Sequence, residues 1–280
     1  VNKDHSFHIY TGSGSNGKSK LTELMSLCMG DYKAQVPITL VTAKRNSIGS
    51  SSSEVAQLHG VRYAVMQEPN KNERINEGIM KEITGGDPIT ARHLFKDSFT
   101  FKPMFKLVVA TNHLFDIKSN DDGTWRRIRV CDFKSKFKKN ANKDDEKEPY
   151  QFEIDFNLDP KLKKWAPYFM SMLVNICYED QGVFEVADIV NARSDNYRND
   201  QDYLTEFVNE KIRESDGDRI KKTELYETFK QWYNEQYGKN VPKGKDLYSF
   251  MDKKFGKYSG SWKNIEIIYD DDYDEQIAGI

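Results

Sequence analysis

The pattern of hydrophobic and polar positions predicts short strands separated by helices over the first half of the chain. Apolar runs at residues 7–10, 61–68 and 106–111 are typical of buried strands. A helical pattern follows the first run, over residues 20–29. Because strands that alternate with helices usually pair in parallel, we expect an α/β fold with a parallel central sheet.

Helical periodicity predominates after residue 150. A helix predicted over residues 164–180 has an apolar stripe that we expect in the core: Trp165, Phe169, Met172, Leu173 and Ile176. Further helices are predicted over 185–197, 203–212 (with Asp202 as its N-cap), 223–237 and 247–255, and a hairpin within 257–269. Three helices followed by a hairpin indicate a small winged-helix-like domain, which would contact DNA or dock onto a protein partner.

A phosphate-binding loop is predicted between the first strand and the first helix. All fixed positions of G-x-x-x-x-G-K-[ST] are present, in the run Gly12, Ser13, Gly14, Ser15, Asn16, Gly17, Lys18 and Ser19. Glycines let the backbone N–H groups turn towards phosphate oxygens, and the helix N-terminus adds partial positive charge. Lys18 can reach the β- and γ-phosphates, and the Ser19 hydroxyl can hold Mg²⁺. The motif therefore predicts nucleoside triphosphate binding, against the alternative of a flexible Gly/Ser linker.

Two further predicted strands end in polar residues that suit hydrolysis. The second strand ends at Gln67 and Glu68. Glu68 is a candidate general base that would also contact Mg²⁺ through water, whereas Gln67 occupies a position that is usually acidic. Asn112 follows the third strand and could orient the attacking water and sense the γ-phosphate. The alternatives are a chance glutamate and an ordinary strand-to-turn asparagine.

Basic residues form two candidate contact points. Residues 89–102 predict a hairpin that carries Arg92, His93 and Lys96, and cations on a projecting hairpin are typical of a nucleic-acid contact. A hairpin at a subunit interface is the alternative. Arg126 and Arg127 precede another predicted strand, and such an arginine can complete a neighbouring subunit's site. A surface ion pair is the alternative for either arginine.

Composition excludes little. Hydrophobic residues make up 38% and charged residues 31%, and the net charge of −2 neither predicts nor excludes a nucleic-acid partner. No apolar run approaches the ~20 residues of a membrane span, so no membrane partner is expected. Three widely spaced cysteines favour an intracellular protein. The chain starts at Val1, which favours a piece of a longer polypeptide.

Taken in order, these motifs resemble a superfamily 3 helicase, and most closely the poxvirus-type primase–helicase family of large DNA viruses and phages. Residues 12–19 and 61–68 match the first two motifs of that family, apart from Gln67. Residues 80–92 are the most diagnostic match, and residues 101–112, with Asn112 as the sensor, match the third motif. Arg126 and Arg127 fall where the family carries its arginine finger. The matches cover about residues 6–133.

The resemblance implies an AAA+-like ATPase core that forms a homohexameric ring. It implies a replicative DNA helicase that uses ATP and Mg²⁺ to move 3′ to 5′ along single-stranded DNA at a replication fork. An N-terminal primase in the same polypeptide and other replication proteins would be partners, in the host cytoplasm or at a viral replication site. A ring ATPase that packages DNA or remodels protein, and a nucleotide-dependent switch, are the alternatives.

The expected organisation has four parts. An ATPase core over residues 1–135 precedes a charged loop over 136–150. A helical segment that packs on the core follows over 151–200, and the winged-helix-like domain occupies 201–280.

Overall fold

The predicted apolar strands form the centre of a five-stranded sheet in the computed structural model, which describes residues 4–42, 52–66, 74–115, 117, 121–142, 144–183, 185–238 and 241–269. Strand β1 (Phe7–Thr11) pairs with β6 (Lys106–Thr111) on one side and with β7 (Ile128–Asp132) on the other. Strand β3 (Tyr63–Met66) pairs with β6, and β2 (Lys33–Val36) forms the far edge. Every pairing in this sheet is parallel, which confirms the predicted α/β class.

Helices and smaller sheets complete the first of two units, residues 1–201. Its helices are α1 (Lys18–Met29), α2 (Thr39–Thr42), α3 (Ser53–Ala56), α4 (Glu77–Thr84), α5 (Asp122–Trp125), α6 (Leu158–Glu179) and α7 (Asp188–Asp200). Strands β4 (Ile89–Arg92) and β5 (Ser98–Phe101) form the predicted antiparallel hairpin. Strands β8 (Lys136–Lys138) and β9 (Gln151–Glu153) form a parallel pair. Residues 136–150 are therefore not entirely the charged loop that was predicted.

Helix α7 covers the β7 edge of the central sheet. The backbone N–H of Val130 donates to the Ser194 hydroxyl at 3.0 Å, which satisfies a donor that the edge strand leaves open. The Tyr197 hydroxyl donates to the carbonyl of Phe115 at 2.5 Å, and its ring meets the Trp125 ring edge-on at 5.4 Å. These contacts fix the position of the edge strand β7, which lies next to β1.

Helix α6 begins six residues earlier than predicted, at Leu158, and its apolar stripe is not core. Trp165, Met172 and Ile176 remain 47%, 48% and 47% exposed, whereas the buried residues of the helix are Leu162 and Ala166. The buried side faces α1, where the Cys28 thiol lies 3.2 Å from the Ala166 carbonyl oxygen. The periodicity of the sequence located the apolar stripe of the helix. It could not show which side of the helix packs against the rest of the protein.

The second unit, residues 202–280, has its own apolar core. Its elements are α8 (Tyr203–Lys211), β10 (Ile212–Ile220), α9 (Lys222–Tyr237), α10 (Gly244–Phe255) and β11 (Trp262–Ile267). Asp202 caps α8 as predicted, because its carboxylate accepts from the Thr205 N–H at 3.1 Å. The hairpin predicted within 257–269 is wrong, since β11 pairs antiparallel with β10 instead. Only the ends of β10, Ile212 and Ile220, are buried, so its sequence carried no strand pattern.

Candidate functional site

The loop between β1 and α1 takes the backbone shape that its glycines allow. Gly14, Ser15 and Gly17 have φ angles of 82°, 47° and 90°, in the left-handed region. Glycine enters this region without steric cost, and consecutive residues there turn backbone N–H groups towards one concave face. Helix α1 starts directly after the loop at Lys18, so its N-terminus and partial positive charge lie at the same place. The loop is thus built to receive an anion.

Close packing behind the loop explains its first glycine. A Cβ atom on Gly12 would lie 2.3 Å from the Asn16 amide nitrogen and 2.6 Å from the Phe133 carbonyl oxygen. No side chain fits at that distance from backbone. Strand β8 supports the loop further along, because the Phe137 N–H donates to the Ser15 carbonyl at 2.8 Å. The segment after β7 therefore supports the β1–α1 loop, through a contact that the sequence did not predict.

Lys18 has a buried side chain whose ammonium group contacts three acceptors. Its Nζ donates to the Gly12 carbonyl at 2.9 Å, to the Asn16 Oδ1 at 3.2 Å and to the Asn112 Oδ1 at 3.0 Å. These contacts offset part of the cost of burying the charge. A lysine ammonium held beside a helix N-terminus is suited to bind an anion such as phosphate.

A cavity of about 460 Å³ opens in front of this lysine. It has the size of ordinary small-ligand sites. Its lining comes from the loop and α1, and from the ends of neighbouring strands: Gly14, Ser15, Asn16, Gly17, Lys18, Ser19, Lys20, Thr22, Gln35, Val65, Met66, Ala110, Thr111 and Asn112. The strand ends that line it are carboxyl ends of a parallel sheet, where α/β proteins bind ligands.

Asn112 reaches the cavity because β6 is the neighbour of β1. A tight turn follows the strand, in which the Thr111 hydroxyl donates to the His113 carbonyl at 2.6 Å and accepts from the His113 N–H at 3.0 Å. The structure thus brings Asn112 into contact with the lysine of the loop, a contact that the sequence did not predict. The roles predicted for both side chains in hydrolysis stay predictions.

The residues predicted to handle the metal and the water are only partly described. Gln67 and Glu68 lie outside the described residues, so the role of Glu68 stays a prediction. Ser19 lines the cavity. Among the described residues, no cluster of three or more His, Cys, Asp or Glu side chains could hold a metal ion. A serine hydroxyl beside an anion site fits Mg²⁺, which retains several waters and binds partly through phosphate oxygens.

The two candidate arginines differ in exposure. Arg126 is exposed at the end of α5. Arg127 is 8% exposed, and its Nη1 donates to the Gly123 carbonyl at 2.5 Å. Burial lowers the pKa of the Arg127 guanidinium, and the adjacent Arg126 lowers it further. Neither arginine lines the cavity of its own chain.

The three candidate residues of the hairpin lie close together, but they differ in their contacts and exposure. The Arg92 Nε donates to the Lys96 carbonyl at 2.9 Å, and the His93 ring stacks on Phe99 at 5.6 Å. Lys96 is exposed at the turn. Sequence reasoning missed the two apolar residues of the turn, Leu94 and Phe95, which are 60% and 93% exposed. Their position between two strands of a hairpin was the available signal.

The chain is similar in sequence to known proteins of large DNA viruses. The model of a family of unknown function (DUF5906) matches residues 10–127. The protein named "Putative helicase L207/L206" of Acanthamoeba polyphaga mimivirus is 37% identical over 277 residues, covering 96% of this chain and 28% of that protein. The protein named "Putative primase C962R" of African swine fever virus is 30% identical over 238 residues, covering 81% of this chain and 24% of that protein.

A solved structure of the NrS-1 C-terminal region in its apo form aligns with a TM-score of 0.43 and 13% identity, over 60% of this chain and 36% of that one. The chain spans about a quarter of the length of the two viral relatives, 28% and 24%. Within the described residues, no helix has the length and apolarity that crossing a bilayer requires. The sequence similarities confirm the resemblance to the primase–helicase proteins of large DNA viruses.

Proposed function

Because this chain is homologous to helicase- and primase-named proteins of large DNA viruses, we propose that it is the ATPase part of a replicative DNA helicase. It binds ATP with Mg²⁺ and moves 3′ to 5′ along single-stranded DNA at a replication fork. The observation that carries the proposal is the contact of Lys18 with Asn112 in front of a left-handed glycine loop. A cation and an amide held at a helix N-terminus suit the phosphates of a nucleoside triphosphate.

Hydrolysis follows from the roles of the chain's own residues. Loop N–H groups and the Lys18 ammonium bind the phosphates, and Asn112 orients a water for attack on the γ-phosphorus. Glu68 accepts a proton from that water as the bond to the bridging oxygen breaks. Ser19 would hold Mg²⁺, which supplies charge neutralisation at the phosphate oxygens when bound.

We further propose that the chain acts in a homohexameric AAA+-like ring. Arg126 is exposed, and it would act on the neighbouring subunit's γ-phosphate. The buried Arg127 instead donates to the Gly123 carbonyl of α5 in its own subunit. The β4–β5 hairpin would contact the DNA through Arg92, His93 and Lys96. Residues 202–280 would form the winged-helix-like domain, with helices α8, α9 and α10 and the β10–β11 pair.

The remaining proposed partners are a primase and other replication proteins. One viral relative is named "Putative primase C962R", and we propose that this chain works together with an N-terminal primase in the same polypeptide. The protein would work with other replication proteins, in the host cytoplasm or at a viral replication site.

Strand displacement on tailed duplexes tests the proposal. The wild-type protein should displace a strand from a duplex with a 3′ single-stranded tail, only with ATP and Mg²⁺, and Lys18→Ala should abolish this. Displacement from a 5′ tail alone would overturn the polarity. ATP hydrolysis without displacement from either tail would favour packaging or remodelling, and binding without turnover would favour a nucleotide switch.

A further inference from the structure

Phe95 occupies the tip of the β4–β5 hairpin and is almost completely exposed. It is 93% exposed, more than any other large hydrophobic residue that the structure describes. Its ring makes no ring or cation contact with the described residues. Apolar surface stabilises a fold when it is removed from water. An exposed phenyl ring therefore contributes no burial energy to the stability of the chain alone.

The backbone at Phe95 is also in an unfavourable conformation. Its φ of 59° lies in the left-handed region, where a bulky side chain is rare. Glycine or asparagine would adopt this turn at lower energy. A strained backbone that presents an exposed ring indicates a function in binding rather than in folding.

The base of the hairpin is held firmly. The Arg92 N–H donates to the Ser52 hydroxyl at 3.0 Å, and the Ser52 N–H donates back to the Arg92 carbonyl at 3.0 Å. The rings of His93, His59 and Phe101 surround Phe99 at 5.6, 5.5 and 5.8 Å. A rigid base fixes where the tip points, so the phenyl ring is presented in one place.

The charge around the tip favours a polyanion. Lys96 is exposed and forms no ion pair with a described residue. Arg92 is exposed beside it, and its Nε donates to the Lys96 carbonyl. Asp97 is the one acidic residue in the turn. Single-stranded nucleic acids are bound by cations along the backbone together with aromatic rings that stack on bases. Leu94, 60% exposed, is the other exposed apolar residue of the turn. Two side chains form a much smaller apolar area than the contiguous patches at which proteins dock, so a protein partner is the weaker explanation.

We infer that the Phe95 ring stacks on a base of single-stranded nucleic acid while Lys96 contacts the adjacent phosphate. This rests on the proposed function, and it names a contact that the basic residues alone do not supply. Stacking is indifferent to base identity, because every base has a π face. The hairpin would therefore hold the strand through its bases as well as through its charge, without sequence preference.

Binding to two labelled strands of equal length and charge tests the inference: an oligothymidylate and the same strand with abasic sites throughout. The dissociation constants are measured at one salt concentration with a non-hydrolysable ATP analogue, because phosphate contacts depend on salt. Phe95→Ala should weaken binding of the oligothymidylate about tenfold, within the range for one stacked base, and should bind the abasic strand as wild type does. Phe95→Tyr should restore oligothymidylate binding, whereas Phe95→Leu should not.

Controls separate the possible failures. Phe156→Ala removes another exposed phenylalanine and should leave both affinities unchanged, and thermal unfolding of each variant checks its fold. Equal binding by wild type and Phe95→Ala, an equal loss on both strands, or full rescue by leucine would each overturn the stacking contact alone. Failure of the wild-type protein to bind either strand would overturn the nucleic-acid role of the proposed function, and the inference with it.

Discussion

The ammonium nitrogen of Lys18 lies 3.0 Å from the amide oxygen of Asn112, although 94 positions separate the two residues in the sequence. The contact exists because β1 and β6 are adjacent parallel strands that end at the same edge of the sheet. It joins the group that we propose binds phosphate to the group that we propose senses it.

Replacing Asn112 with alanine should lower the turnover of ATP about 10²-fold, as expected when one positioned group of a reaction site is removed. Nucleotide binding should persist, because the loop and Lys18 remain. Single-turnover hydrolysis and equilibrium binding of a labelled nucleotide separate the two effects. His113→Ala, at the next residue, serves as the matched control. Unchanged turnover in Asn112→Ala would contradict the sensor role.

Two glycines of the loop should respond differently to alanine. A Cβ on Gly12 meets the Phe133 carbonyl at 2.6 Å, so Gly12→Ala must displace the loop and should lose measurable nucleotide binding. A Cβ on Gly14 meets nothing within 4 Å, and the φ of 82° alone costs about 1–2 kcal/mol. Gly14→Ala should therefore still bind nucleotide. Titration with a fluorescent ATP analogue measures both, and equal losses would count against the packing argument.

Alanine substitutions of Arg126 and Arg127 should have different effects. Arg126→Ala subunits, mixed with wild type, should suppress hydrolysis by more than their fraction, because each inactivates a neighbour's site. Arg127→Ala should instead lower the free energy of unfolding, by about 1–2 kcal/mol, since it removes a buried hydrogen-bonded side chain. Hydrolysis against mixing ratio and denaturant unfolding distinguish them. A strictly proportional loss with Arg126→Ala would exclude action on a neighbour.

His8, the second residue of β1, should make the stability of the fold depend on pH. Burial lowers the pKa of its imidazole from 6.5 to about 4. Between these values the unfolded chain binds a proton that the folded chain does not, so stability is lost as the pH falls. The difference in unfolding free energy between wild type and His8→Phe should shift by up to about 3 kcal/mol against wild type from pH 7 to pH 4.

Urea unfolding of both proteins at a series of pH values checks this prediction. The paired comparison cancels the titration of groups that the two proteins share. A difference that stays constant over this range would show that His8 titrates normally in the folded chain.

The strands next to the site could be predicted because their signals are local. Each is a short apolar run followed directly by polar residues, as at Thr111 and Asn112. Strand β10 could not be predicted, because its residues between Ile212 and Ile220 are mostly charged and exposed. Its existence depends on pairing with β11, far along the chain, which no local pattern encodes.

The candidate site also combines features that the local sequence determines with features that depend on distant contacts. The motif located Lys18 and Ser19 because its spacing reflects one local backbone shape. The difference between Arg126 and Arg127, and the exposure of Phe95, depend on how distant segments pack. The half-exposed stripe of α6 shows that an apolar periodicity gives a face but not its partner.

The rate of ATP hydrolysis with and without single-stranded DNA tests the central claim most directly, with assembly followed by light scattering as nucleotide is added. We predict that the wild-type protein assembles with nucleotide, that DNA raises its rate of hydrolysis, and that Lys18→Ala abolishes hydrolysis. Hydrolysis that persists in Lys18→Ala, or a wild-type rate that DNA leaves unchanged in an assembled ring, would contradict the account.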